Sequence, residues 1–152
     1  MSRGPAPHTS EGLRLDNQLC FALHAASRAM TARYRPLLEP LGLTYPQYLV
    51  LLVLWEHRAA TIGEIATTLG SDYGSLSPLV KRLETAGLVS RRRRPDDERV
   101  VEVTLTDEGA ELATRAESVP IDVLCGLGTD LDDLARLKRD LETLRENIES
   151  ST

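Results

Sequence analysis

Residues 83–105 read LETAGLVSRRRRPDDERVVEVTL, and the spacing of their apolar residues changes at Gly87. Upstream of this glycine the apolar residues recur every three or four positions, which is typical of a helix. Downstream they come close to alternating, and the second half is rich in valine, which favours strands. The turn-forming residues 95–98 separate the two halves. The sequence therefore predicts a helix that is followed by a two-stranded β hairpin over residues 88–105.

Two short helices are predicted just before this hairpin. Thr61 and Glu64 have the spacing of a capping box, so we expect one helix over 62–69. Asp72 is placed to cap a second helix over 75–86. Two short helices joined by a tight turn and followed by a hairpin are typical of a winged helix-turn-helix, in which the second helix reads DNA. The helices alone leave another interpretation open, a small helical domain whose polar residues face water.

Polar side chains on the second helix and the hairpin suit contacts with DNA. Those on the helix can donate hydrogen bonds in the major groove and contact phosphates; they are Tyr73, Ser75, Ser77, Lys81 and Arg82. The hairpin adds the basic side chains of Arg91, Arg92, Arg93, Arg94 and Arg99. An arginine at the tip can enter the minor groove while the flanking arginines pair with phosphates. Asp97 is placed to hold Arg99 or another arginine by an ion pair. A charged turn balanced by its own acids is the alternative.

Helical periodicity flanks this module, which we place at about 45–106. Upstream, the spacing predicts one amphipathic helix over 15–35, bounded by Pro36 and Pro40, and a buried helix that follows Thr44. The expected class is mainly α with a small β wing.

Downstream of the hairpin, Thr106 is expected to cap a helix that reaches Ala116 and is interrupted at Pro120. The last helix, 131–148, carries a near-heptad apolar stripe, formed by Leu131, Leu134, Leu137, Leu141, Leu144 and Ile148. Because so apolar a face is unfavourable in water, we expect a homodimer joined by helices at about 15–36 and 107–150.

The composition fits one domain over residues 15–152. The chain has 152 residues, of which 41% are hydrophobic and 27% charged. Residues 1–14 contain glycines and prolines but no apolar stretch, so we expect a disordered arm rather than a secretory signal. The longest apolar run, 49–55, is far shorter than the ~20 residues that span a bilayer. We expect no membrane segment and a cytoplasmic protein.

The net charge of -5 argues against a protein that coats nucleic acid generally. The charge is unevenly spread, since residues 107–152 carry twelve acids and five bases, and residues 1–106 carry eleven acids and thirteen bases. A local basic feature therefore lies in an acidic protein.

The two cysteines, Cys20 and Cys125, exclude a disulfide-rich scaffold. From its surroundings alone, Cys20 is most simply a small buried hydrophobic residue. Tyr34 lies ~21 Å from Cys20 along the predicted helix, at 1.5 Å per residue, so it cannot reach Cys20 of its own chain. In a two-fold dimer with antiparallel first helices, Tyr34 could reach Cys20 of the other chain, and Tyr45 could join it. Phenolic donors would stabilise a thiolate, the reactive form of a thiol.

Several motifs in order resemble the MarR family of bacterial transcription regulators. Asp97-x-Arg99, followed by LTxxG at 105–109 and preceded by LExxGL at 83–88, is similar to the family's wing and wing exit. Within the family, the chain from about Leu15 onward resembles the organic hydroperoxide regulators of the OhrR type. That resemblance is carried by LDNQLCF at 15–21, YRPLL at 34–38, LTYPQY at 43–48 and LWEH at 54–57.

The resemblance implies a homodimeric repressor of a pseudo-palindromic DNA operator, with an organic hydroperoxide as inducer and no cofactor. Cys20 matches the peroxide-sensing cysteine, and Tyr34 and Tyr45 match the tyrosines that hydrogen-bond it across the dimer. Cys125 matches the resolving cysteine of the two-cysteine members, which closes an intersubunit disulfide. His24 departs from the pattern, since some members have a third tyrosine there.

Two other functions stay open. One is a MarR-type regulator that reversibly binds a small phenolic or lipophilic ligand at its dimer interface. The other is a thiol peroxidase that uses Cys20 and Cys125, which leaves the arginine-rich hairpin unexplained. The histidines lack metal-ligand spacing, and the sequence contains no phosphate-binding glycine loop. We therefore expect that the protein is not an enzyme.

Overall fold

The computed structural model describes residues 10–152. The helices are α1 (Leu19–Leu38), α2 (Tyr45–His57), α3 (Ile62–Leu69), α4 (Tyr73–Thr85), α5 (Asp107–Ala116), α6 (Val119–Cys125) and α7 (Leu131–Ser150). The strands are β1 (Ala59–Thr61), β2 (Val89–Arg93) and β3 (Val101–Leu105). Short 3₁₀ turns span Glu11–Leu13, Leu15–Asn17 and Glu39–Leu41. The predicted class, mainly α with a small β wing in a winged helix-turn-helix, is confirmed.

The first helix differs from its prediction at both ends. It begins at Leu19 rather than Leu15, because Gln18 has an extended backbone that separates it from a preceding 3₁₀ turn. It also continues past Pro36 to Leu38. The φ of proline is helical, but Pro36 lacks the N–H that would donate to the carbonyl of Ala32, so the last turn forms without that hydrogen bond. Most of the predicted arm, residues 1–9, lies outside the described residues.

The helix boundaries around the winged helix-turn-helix follow from local caps. Thr44 and Gln47 form a complete capping box at the start of α2, and Thr61 and Glu64 form another at the start of α3. Asp72 accepts a hydrogen bond from the Ser75 backbone N–H at 2.8 Å, as predicted for its cap. The helix it caps starts at Tyr73, two residues before the predicted start.

The three strands form one antiparallel sheet in the order β1-β3-β2. The hairpin pairs Val89 with Leu105 and Arg93 with Val101, which confirms its prediction. Strand β1 was not predicted, and its Ala60 pairs with Val103. Three residues without an alternating pattern give no strand signal of their own, so β1 depends on the partner that the fold brings to it.

The described residues divide after Ala116 into two compact units. The first has its core where α2, α3 and α4 meet the sheet. This core consists of fully buried aliphatic side chains, including Val50, Leu51, Leu54, Ile62, Ile65, Val80, Leu83, Val89 and Val103. That the two units act as a single domain over 15–152 stays a prediction.

The second unit holds α6 and α7. The interruption predicted near Pro120 is confirmed: α5 ends at Ala116, and Pro120 lies in the first turn of α6, where its missing N–H costs nothing. No residue of α7 is buried. Four of the six apolar side chains of its stripe are exposed, with Leu131 at 63% and Ile148 at 60%, and those of Leu134 and Leu144 are half-buried.

Within residues 10–152 no single helix is long and apolar enough to cross a membrane. Residues 19–41 and 45–57 pass a length and composition test only together, as a pair bent by 72°.

Candidate DNA-binding surface and thiol site

Helix α4 separates an apolar face from a polar one. Leu76, Val80 and Leu83 are buried as the helix packs against α2 and α3. The predicted DNA-contacting side chains of Tyr73, Ser75, Lys81 and Arg82 are exposed, and that of Ser77 is half-buried. The helix therefore presents hydroxyl and basic groups to solvent on one continuous surface.

Asp72 fixes how Ser75 can interact. The Ser75 hydroxyl donates to Asp72 Oδ2 at 2.9 Å, in addition to the backbone N–H that donates to Oδ1. The backbone hydrogen bond, and then the hydroxyl, lower the pKa of Asp72 below its ordinary value. Because its proton is committed to Asp72, Ser75 offers mainly its lone pairs to a ligand, a point that the sequence did not reveal.

The wing, residues 89–105, has an ordered tip. Asp97 accepts from the Arg99 backbone N–H at 3.1 Å and from the guanidinium Nε and Nη2 at 3.0 and 3.2 Å. These bonds lower the pKa of Asp97. The predicted ion pair is present, and it leaves the Arg99 side chain 90% exposed.

The four consecutive arginines are not equivalent. Arg93 donates to the backbone oxygen of Glu98, and Arg94 pairs with Glu102 at 3.2 Å. The exposed side chain of Arg92 makes no hydrogen bond or ion pair to another described residue. Their contact with phosphates stays a prediction.

Arg91 departs from the expectation that all four face phosphates. Its guanidinium Nε and Nη2 donate to Glu84 Oε1 at 3.2 and 3.1 Å, and its side chain is only 25% exposed. Arg91 is turned back onto the end of α4.

The base of the wing is closely packed. Thr106 donates through its hydroxyl to the Gly87 carbonyl and accepts from the Gly109 backbone N–H, as a helix cap. Trp55 donates through Nε1 to the Gly109 carbonyl at 2.9 Å. A Cβ at Gly109 would lie 2.0 Å from the Leu88 carbonyl oxygen, so only glycine fits. Sequence reasoning missed this role of Trp55.

The predicted thiol-activating tyrosines lie together. Tyr34 of α1 and Tyr45 at the start of α2 have ring centroids 4.8 Å apart. Tyr48 is buried and was not predicted. Its ring centroid lies 5.7 Å from that of Tyr34 and 6.4 Å from that of Tyr45. Burial, with the neighbouring phenols as a smaller cause, raises the pKa of Tyr34 and of Tyr48. The phenols of Tyr34 and Tyr48 are therefore kept protonated, as hydrogen-bond donors.

Both cysteines are exposed. The interpretation of Cys20 as a small buried hydrophobic residue is therefore wrong. Cys20 is the second residue of α1, and its neighbours Leu19 and Phe21 are also exposed. Cys125 ends α6, just before Gly126. The structure thus brings Tyr34 and Tyr45 together, while Cys20 lies near the other end of α1.

A cleft of about 630 Å³ opens between α1 and the start of α2. His24, Arg28 and Arg35 contribute to its wall from α1, and Tyr45 contributes from α2. His24, at which the sequence departs from the OhrR pattern, therefore lines the same cleft as Tyr45.

Comparison with known proteins places these features in a family. A family model described as the MarR family matches residues 43–101. The organic hydroperoxide resistance transcriptional regulator of Bacillus subtilis (strain 168) is 46% identical over 136 residues, which are 90% of this chain and 92% of that protein.

Solved structures of DNA-bound regulators are also similar to this chain. Reduced AbfR bound to DNA has a TM-score of 0.77 and 36% identity, covering 93% of this chain and 96% of that one; AbfR is a protein of Staphylococcus epidermidis. A mutant MarR from E. coli complexed with operator DNA has a TM-score of 0.75 and 28% identity, covering 83% and 92%.

The relatives that match over most of their length are named as transcription regulators, so the expectation that the chain is not an enzyme is confirmed. The identity to the Bacillus regulator extends over nearly the whole of both chains, and DNA-bound structures share the fold that presents α4 and the wing. This chain therefore belongs to the MarR family of DNA-binding transcription regulators.

Proposed function

We propose that the protein is a homodimeric, cytoplasmic repressor that releases its operator when an organic hydroperoxide oxidises Cys20. The observation that carries this proposal is the convergence of Tyr34 and Tyr45, two phenols 4.8 Å apart, at the opposite end of α1 from an exposed thiol. The name of the Bacillus relative, a regulator of organic hydroperoxide resistance, supports the class of inducer.

The dimer completes the thiol site in this proposal. Cys20 and Tyr34 are separated by ~21 Å along α1, so the phenol reaches a thiol only on a second chain. Antiparallel crossing of two α1 helices about a two-fold axis brings Tyr34 and Tyr45 to Cys20 of the partner subunit. The exposed apolar side chains beside Cys20, and those along α7, supply surface for such an interface.

The sensing step is a two-electron oxidation of sulfur. The Cys20 thiolate, stabilised by phenolic hydrogen bonds, attacks the peroxide so that an S–O bond forms and the O–O bond breaks. The alkoxide leaves and takes a proton to become the alcohol. Sulfur is now a sulfenic acid, and the hydroperoxide has been reduced.

Cys125 is proposed as the resolving residue. The thiol of Cys125 from the partner subunit attacks the sulfenic sulfur, an S–S bond forms, and the S–O bond breaks with loss of water. This disulfide protects Cys20 from further oxidation to sulfinic and sulfonic acids, which most cells cannot reduce. Thiol reductants then restore the repressor.

DNA is bound through both elements of the module. Residues on the exposed face of α4 contact base edges and phosphates in the major groove, Arg99 enters the minor groove, and Arg92, Arg93 and Arg94 contact phosphates. A two-fold dimer recognises a pseudo-palindrome whose half-sites lie about one helical turn apart. The separation of polar from buried side chains on α4 supports this arrangement.

The proposal is tested by operator binding before and after one equivalent of cumene hydroperoxide. The wild type is expected to dissociate from the DNA upstream of its own gene and to form a dimer-sized species on a non-reducing gel. Cys20→Ser should bind and ignore the peroxide. Cys125→Ser should still respond, but accumulate over-oxidised Cys20 by intact mass. Release of the Cys20→Ser variant by peroxide would refute sensing by this thiol.

The cleft between α1 and α2 favours a second candidate, reversible binding of a small phenolic or lipophilic ligand. Its volume of about 630 Å³ is in the range of small-molecule sites, and His24, Arg28 and Tyr45 supply polar groups. A Cys20→Ser protein that still leaves its operator when a phenolic acid is added would support this candidate over the thiol switch.

A further inference from the structure

We propose that Glu84 is a positioning residue for operator recognition, which fixes the wing relative to α4 through Arg91. Glu84 lies in the last turns of α4, and Arg91 lies in the middle of β2. The two residues therefore join the element proposed for the major groove to the element proposed for the minor groove. This role differs from the phosphate contact that the sequence suggested for Arg91.

Three hydrogen bonds connect the pair. Glu84 Oε2 accepts from the Arg91 backbone N–H at 2.8 Å, and Oε1 accepts from the guanidinium Nε and Nη2 at 3.2 and 3.1 Å. Both carboxylate oxygens are used, and the side chains are 38% and 25% exposed. A contact to both the backbone and the side chain of one residue sets the direction of the strand as well as the position of its arginine.

The backbone contact is available because β2 is an edge strand. In the order β1-β3-β2, only one side of β2 pairs with another strand. The N–H of Arg91 donates to Glu84 rather than to a strand, so Glu84 satisfies a donor that would otherwise face water at the open edge. The carboxylate covers that edge and attaches it to α4.

On its β3 side the wing is held by β1, which pairs with β3 from Thr104 to Glu102. Thr106 contacts Gly87 and Leu88, which form the short connection from α4 to β2. Gly87 has a φ of 80°, so this connection turns sharply. Arg91 lies further toward the tip than either contact. On the β2 side, Glu84 thus ties the edge strand to α4 further toward the tip than the contacts at the base do.

Neutralising Glu84 should change operator affinity in opposite directions through charge and through positioning, so an experiment can distinguish the two roles. Glu84 places a negative charge beside a surface that binds polyanionic DNA, and charge alone therefore predicts that its neutralisation tightens binding to every sequence. Positioning predicts the opposite for the operator, because a wing whose β2 edge is no longer tied to α4 presents Arg99 less accurately relative to α4. Non-specific binding, which needs no fixed geometry, is unaffected by the loss of position.

The test compares Glu84→Gln with the wild type on an operator duplex, selected from random DNA with the wild-type protein, and on a scrambled duplex of equal length. We expect operator affinity to fall about fivefold, the scale of one lost charge-assisted contact, with scrambled-duplex affinity equal or higher. Arg91→Lys keeps the charge but loses the fork of donors, and should lower operator affinity in the same direction. Circular dichroism melting checks that both variants fold.

Glu102→Gln is the matched charge control. It removes one acid from the same wing, where Glu102 pairs with Arg94, but this contact lies within the hairpin and does not reach α4. The control should bind both duplexes at least as tightly as the wild type. In a double-mutant cycle, Arg99→Ala should cost less in the Glu84→Gln background than alone, because an unfixed wing already delivers Arg99 poorly.

Three results would overturn the proposal. These are operator binding by Glu84→Gln as tight as that of Glu102→Gln, an equal loss on both duplexes, or full additivity with Arg99→Ala. Each outcome concerns reduced protein and DNA alone, so it is independent of peroxide sensing.

Discussion

At the scale of single residues, the arginines of the wing divide by the partners they have inside the protein. Asp97 orients Arg99, Glu84 holds Arg91, and Arg92 has an exposed side chain with no described partner. An arginine held at the tip suits a groove contact of fixed geometry, whereas an arginine without a partner suits a phosphate. Removal of the two kinds of arginine should therefore have different effects on DNA binding.

Arg99→Ala should weaken operator binding by roughly 1–3 kcal/mol, because it deletes a contact in the minor groove. Arg92→Ala should weaken operator and scrambled duplexes alike and lower the slope of log affinity against log salt by about one. Salt titrations of both variants measure the difference. An unchanged operator affinity for Arg99→Ala would remove the wing tip from recognition.

The Glu84 carboxylate gives a pH-dependence with a defined sign. The hydrogen bonds from the Arg91 backbone and side chain hold the pKa of Glu84 below its ordinary value of 4.5. Its contribution to stability is therefore complete above the unfolded value and is lost as pH falls through the lower folded value. The NMR shift of the Arg91 amide should titrate with a midpoint below 4.5. A midpoint at or above that value would contradict the contact.

At the scale of elements, the junction of β2, α5 and α2 depends on one glycine. Gly109→Ala should lower the free energy of unfolding by more than about 2 kcal/mol, because the new Cβ meets the Leu88 carbonyl oxygen at 2.0 Å. Gly63→Ala, in α3, is the control, since its Cβ would meet nothing closer than 3.9 Å. The control should be neutral or up to about 0.5–1 kcal/mol more stable. Urea unfolding of the two variants decides, and equal stability would contradict the packing.

The elements that local chemistry specifies were predictable, and those that depend on distant partners were not. The caps at Thr61 and Asp72 lie within three residues of the groups they bind, so the sequence shows them directly. Strand β1 exists because Ala60 pairs with Val103, forty-three positions away. Its own residues carry no pattern, and nothing local could reveal it.

The same distinction applies to the candidate site. The Asp97–Arg99 pair spans two residues and was predicted. The packing of Tyr48 on Tyr34 joins different helices, and an aromatic residue within an apolar run looks like ordinary core. An acid at the end of a helix seven residues before an arginine run was an available clue to the Glu84–Arg91 contact, since a short turn folds one onto the other.

At the scale of the whole molecule, the exposed apolar surface favours association with a second copy of the chain. No residue of α7 is buried, and Leu19 and Phe21 beside Cys20 are also exposed. Sedimentation at micromolar concentration should give twice the chain mass of 16.8 kDa. Replacement of Leu137 and Leu141 by aspartate should shift the protein toward monomer and weaken operator binding, because one chain binds only one half-site. A wild-type monomer under these conditions would contradict the dimer.

The central claim is that the tyrosines of one chain activate the thiol of the other, and mixed dimers test it most directly. One chain carries Cys20→Ser with its tyrosines intact, and the other keeps Cys20 but carries Tyr34→Phe and Tyr45→Phe. The doubly substituted homodimer should react slowly with cumene hydroperoxide, and the Cys20→Ser homodimer should not react at that position. In the mixed dimer, Cys20 of one chain faces the intact tyrosines of the other chain. The account therefore predicts that this thiol is oxidised at the wild-type rate per thiol, as measured by mass spectrometry. A mixed dimer as slow as the tyrosine-substituted homodimer would contradict activation across the dimer.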